Sequence, residues 1–130
     1  MRKLLFSVWL LLAVLSGPAH ATGEVECTNG KGVVIHMLVG RLAVLQVLNA
    51  TVLVGDDSWS TSKTTPEEKR IAVGQAFEND SQMLVDFMDS NLEKIVGKLR
   101  VVKLSEGGEL RVGGVFSFEG QGVWEVTCVG

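Results

Sequence analysis

An all-β fold, a small antiparallel barrel or sandwich of about seven or eight short strands with one short helix, is what this sequence predicts. Three observations carry that reading. Short runs rich in Val, Leu and Ile recur along the chain, Gly and Asn/Asp clusters separate them, and two cysteines, Cys27 and Cys128, stand near the two ends of the part expected to fold. With 130 residues, 46% of them apolar and 21% charged, the chain is too short for a multidomain enzyme and too apolar for a disordered one. Two cysteines are too few for a disulfide-dense miniprotein, so stability has to come from one hydrophobic core.

The first 21 residues are read apart from the fold. Arg2 and Lys3 give a basic start, Leu4 to Leu15 an apolar run interrupted only by Ser7, Gly17-Pro18 a helix breaker, and Ala19-His20-Ala21 small residues at both cleavage-reading positions. That is the pattern of a signal peptide cleaved after Ala21, leaving 22–130 as a single β-rich domain. The apolar run is shorter than the roughly 20 residues a spanning helix needs, which argues against a retained membrane anchor. Without Arg2 and Lys3, ten basic residues face fifteen acidic ones, a formal charge of −5. An acidic chain with scattered basic residues is a poor match for nucleic acid or an anionic membrane.

Export places both cysteines in an oxidising compartment, periplasmic or extracellular, where a Cys27–Cys128 disulfide is expected. It would close a loop of about 100 residues and bring the first and last elements of the domain side by side. After Cys27, Thr28 to Gly32 reads as a turn and Val33 to Val39 as a strand ended by Gly40-Arg41. Leu42 to Val54 reads as one bent strand or as two strands with a tight turn. Gly55 to Ser58 is a turn, Trp59 covers the core edge, and Ser60 to Thr65 is a polar loop. Thr65-Pro66-Glu67-Glu68 carries helix-start chemistry, enough for one helical turn.

Two readings compete between residues 71 and 99. Leu84, Val85, Phe87, Met88, Leu92, Ile95, Val96 and Leu99 share half of a helical wheel, which supports an α+β alternative with a long helix near residues 82–99. The preferred reading is a hairpin, Ile71 to Phe77 and Met83 to Met88 about a turn at Glu78 to Ser81. A short helix from about Asn91 to Val96, begun by a Ser90-to-Glu93 capping box and stopped by Gly97, follows it. Leu99 to Leu104, Leu110 to Phe118 and Val123 to Val129 then form three strands and two hairpin turns. Gly113-Gly114 marks a bulge or bend, and alternation turns Cys128 toward the core beside Trp124.

Chemistry is sparse. His36, the one histidine left after cleavage, lies in an apolar strand with no dyad partner in the sequence, and reads as a half-buried structural residue. There is no nucleophile elbow, phosphate loop or His/Cys metal spacing, so neither enzyme activity nor a cofactor is expected. Asp86, Asp89 and Asn91, with Asn79 and Asp80, supply oxygen ligands of the kind calcium takes, but their spacing matches no calcium loop; capping and turn formation account for them. No metal site is assigned. The candidate binding loop is Asp56, Asp57 and Trp59, because loops on rigid scaffolds carry recognition and Trp is enriched at hot spots; against it, a small core uses most of its aromatics.

In size, export, acidity, strand content and single bridge the chain is similar to the periplasmic lysozyme inhibitors. Their serine-containing recognition-loop motif is not present, so no residue is carried over. The expected function is an exported, non-enzymatic binding domain whose partner is a protein or an envelope component. The alternative is a small-molecule or ion carrier with its site at a barrel mouth; a filled core would favour the first and an apolar cavity with convergent polar groups the second.

Overall fold

A computed structural model describes residues 22–62 and 64–130, which form a closed barrel. Among them are nine strands and no helix: β1 (Thr22–Thr28), β2 (Val33–Arg41), β3 (Leu45–Val54), β4 (Asp57–Ser60), β5 (Lys69–Glu78), β6 (Gln82–Asp89), β7 (Ile95–Glu106), β8 (Glu109–Phe118) and β9 (Gly122–Val129). Each strand pairs with its neighbour in sequence, and β9 pairs back onto β1. Every pairing is antiparallel except β4–β5, which is parallel. Parity requires this: in a ring of nine strands the number of direction reversals must be even, so one pair has to run parallel. The short β4 and the loop that returns the chain from Ser60 to Lys69 provide it.

The predicted disulfide is present and buried. Cys27 and Cys128 are direct partners in the β1–β9 ladder, which contains three residue pairs, Glu26 with Val129, Cys27 with Cys128 and Thr28 with Thr127. The covalent link therefore closes the barrel at a short seam. Side chains fill the interior in alternating rows, Val33, Ile35, Met37 and Val39 on β2, Met83, Val85 and Phe87 on β6, and Leu99 and Val101 on β7. One end of the core is aromatic: Phe116 meets Phe87 edge-on at 6.2 Å and stacks with Trp124 at 6.1 Å, while Phe118 packs on Trp59 at 4.5 Å.

Of the two readings of Leu42 to Val54 the single bent strand is the one that forms, as Leu45–Val54; the β2–β3 register slips between Leu38 and Val39, leaving Leu48 as the extra residue. Other local expectations are corrected. Neither expected helix forms. Asn91 to Val96 lies in a tight β6–β7 turn and the start of β7, because Asp89 spends its capping chemistry there: its Oδ1 accepts from the backbone of Glu93 at 2.7 Å and Lys94 at 3.2 Å, and its N–H donates to the Lys94 carbonyl. Leu92 turns that corner with a φ of 58°. Gly97, read as a helix stop, is an interior position of β7 where a Cβ would press on Phe118 and Phe87. At Thr65 to Glu68 there is a single hydrogen-bonded turn, with Glu68 N–H on the Thr65 carbonyl and the Glu68 carboxylate on Thr64. The Gly113-Gly114 pair stays in register with both neighbours and is no bulge. Gly114 is needed because its inward side lies against the Arg100 carbonyl, with no space for a Cβ.

Candidate binding site at the barrel mouth

The apolar rows end in charge at one end of the barrel. Continuing each alternation by two residues takes β2 from Val39 to Arg41, β7 from Val101 to Lys103 and β5 from Ala76 to Glu78. These three inward positions meet. Glu78 Oε1 accepts from Arg41 Nε at 2.6 Å, and Oε2 accepts from Lys103 Nζ at 2.9 Å and from Arg41 Nη2 at 3.4 Å. The Glu78 side chain is 13% exposed, against 22% for Lys103 and 34% for Arg41. Burial pushes the Glu78 carboxyl up, but the hydrogen bonds and charges of Arg41 and Lys103 outweigh it and hold its pKa below the ordinary glutamate value. The cluster closes the mouth with a carboxylate that stays ionised.

Beside the cluster is a cavity of about 120 Å³ lined by Val25, Met83, Leu110, Val112 and Cys128 with Arg41, Glu78 and Lys103. The rim of this end is apolar. Leu42 and Val44 in the β2–β3 loop are 85% and 68% exposed, Leu104 and Leu110 of the β7–β8 hairpin 70% and 59%, and Val129 is also exposed. A groove of about 250 Å³ runs along the β2–β3 loop between Thr22, Gly40, Leu42, Val44 and Leu48. Leu92 and Val123 are comparably exposed elsewhere, but five of the seven most exposed large apolar side chains lie on this rim, and such a gathering marks an interaction surface more than singly scattered residues do.

The candidate binding loop read from the sequence, Asp56, Asp57 and Trp59, lies at the opposite end. Trp59 is buried against Phe118, with the Lys69 ammonium 4.9 Å from its ring centroid. Asp57 pairs with the same lysine at 3.3 Å, and Asp56 is exposed in the turn. The structure thus brings Asp57 and Trp59 together through Lys69 and spends the tryptophan on the core. His36 sits half-buried on the outer wall, 3.7 Å from Glu24. Asp86 is buried on the same wall and pairs with Arg100 at 2.8 Å. Asn79 Oδ1 holds the β5–β6 turn by accepting from the backbone of Ser81 and Gln82, and Asp80 and Asn91 are exposed. Among the described residues no three His, Cys, Asp or Glu side chains converge as a metal site.

Arg41, Glu78 and Lys103 were not singled out from the sequence. For Arg41 and Lys103 the signal was a charged residue ending an alternating apolar row; for Glu78 there was none, because the register shift between Val73 and Ala76 turns it inward against the alternation begun by Ile71 and Val73. Comparison with protein-family models, with curated proteins and with solved structures returned no match.

Proposed function

We propose that the chain is an exported, non-enzymatic binding domain that docks a protein or envelope component through the mouth end of the barrel. Cleavage of residues 1–21, which lie outside the described residues, belongs to this reading, and so does its oxidising destination, with which the buried disulfide agrees. The observation that carries the reading is the contrast between inside and outside. The interior is packed with side chains and the mouth cavity is well below the roughly 300 Å³ at which small-molecule pockets begin. The apolar surface a partner would bury is instead on the rim, at Leu42, Val44, Leu104 and Leu110. That distribution favours a macromolecular partner over cargo carried inside the barrel.

The test is affinity capture from envelope extract with disulfide-intact mature protein, alongside a Leu42→Asp/Val44→Asp variant. Both side chains are exposed, so the variant is expected to keep the wild-type melting temperature within a few degrees. A partner retained stoichiometrically by the wild type and lost by the variant is the expected result. Equal retention by both, or retention by neither, would overturn the assignment of this end as the docking face.

A further inference from the structure

We propose that the barrel mouth is a carboxylate-binding site, in which Arg41 and Lys103 share Glu78 between them and take a second carboxylate from a ligand. The proposal deepens the reading of this end as the binding face by naming the chemical group that anchors there. It begins from a surplus of donors. A guanidinium offers five N–H groups and an ammonium three. Glu78 takes two of the first and one of the second. Among the described residues the other donors of these two side chains have no acceptor. Among the described residues no other carboxylate lies within ion-pair distance of either cation, and on the nearby hairpin Glu109 faces its own partner, Arg111, at 3.2 Å.

The cavity completes the site. Its volume, about 120 Å³, leaves room for a carboxylate with a short aliphatic tail. Its apolar lining, Val25, Met83, Leu110, Val112 and the Cys128 half of the disulfide, suits such a tail. Gly130 lines the cavity as well; recognition rests on the spare donors and the apolar lining and not on a net charge. Partial burial strengthens the charge-assisted hydrogen bonds that guanidinium and ammonium form with a carboxylate. The same chemistry is available from a free short-chain acid or from the C-terminal carboxylate of a peptide with a small apolar last residue.

The experiment is a titration of ¹⁵N-labelled mature protein, followed by amide shifts at Arg41, Lys103 and Val112, with ionic strength held constant by chloride. The probes are butyrate, acetyl-Gly-Val with a free carboxylate, and acetyl-Gly-Val amide. Saturable shifts confined to the mouth with both acids, and none with the amide, are expected. In Lys103→Gln the affinity should fall at least tenfold, and Lys103→Arg should restore most of it. Tighter binding of the peptide acid than of butyrate assigns the site to chain termini; equal binding assigns it to free acids. Shifts that grow linearly to 50 mM (about the weak limit of a useful site, some 2 kcal/mol), or an amide as good as the acid, would overturn the proposal. Should Lys103→Gln fail to fold, the wild type decides: butyrate should raise its melting temperature relative to equal chloride, and no rise refutes the site. Lys103→Gln protein put through the affinity capture separates the two readings: a partner lost together with the acids supports the carboxylate anchor, and a partner retained while the acids are lost overturns it and leaves the docking face standing.

Discussion

Removing the disulfide with Cys27→Ala/Cys128→Ala tests how the barrel is closed. The cysteines are 101 residues apart, and in the chain-entropy account a cross-link over about 100 residues removes about 4.7 kcal/mol of unfolded-state freedom. The native side of the balance does not replace it, because the β1–β9 ladder it spans holds only three residue pairs. The two sulfurs are buried, so truncation adds on the order of 1 kcal/mol for each small void. An unfolding entropy of about 2.1 cal/mol/K per residue over about 109 residues converts 4.7 kcal/mol into a fall of about 20 °C in melting temperature. Since small domains have about 5–15 kcal/mol of total stability, the variant should be marginal at 37 °C. The assay is thermal and urea unfolding followed by far-ultraviolet circular dichroism, on protein whose wild type shows no free thiol after denaturation. A fall of less than 5 °C would refute the reasoning, and would mean that the β1–β9 seam closes without the covalent link.

Two further outcomes follow from the interior. The Glu78 carboxyl has a lower pKa folded than unfolded, so its contribution to stability is fully present above the unfolded value. It is lost as the pH falls through the folded value; urea midpoints measured from pH 6 down to pH 2 should therefore decline less steeply in Glu78→Gln than in the wild type, and parallel profiles would count against the cluster. Gly114→Ala should cost 3 kcal/mol or more (about the scale of severe core disruptions), because the new methyl has to displace the β7 backbone at Arg100; a melting temperature within a few degrees of wild type would show that the β7–β8 approach is looser than described.

Much of the architecture was legible along the chain because strand signals are local. Alternation in Val33 to Val39, the glycine turns at Gly107-Gly108 and Gly120 to Gly122, and the terminal cysteine pair each act over a few residues or through one covalent constraint. The same locality explains the misreadings. Ser90 to Glu93 carries capping chemistry that serves a helix or a turn, and the chain between β6 and β7 is too short for the helix once both strands extend to pair. Trp59 stood between a core residue and a loop contact, because a single sequence does not show that Phe118, far along the chain, covers its ring.

The sequence by itself determined a β-rich single domain, its turns, its inward and outward faces and the bridge between its ends, since backbone preference, side-chain period and thiol chemistry are properties of short segments. Only the tertiary structure decided that there are nine strands with one parallel pair, because that follows from closing the ring. It also decided the mouth cluster. Arg41 and Glu78 are 37 residues apart, and Glu78 and Lys103 are 25 apart. Each looks like an ordinary surface charge until barrel closure points all three inward at the same end, where burial makes each cation and the carboxylate depend on the others.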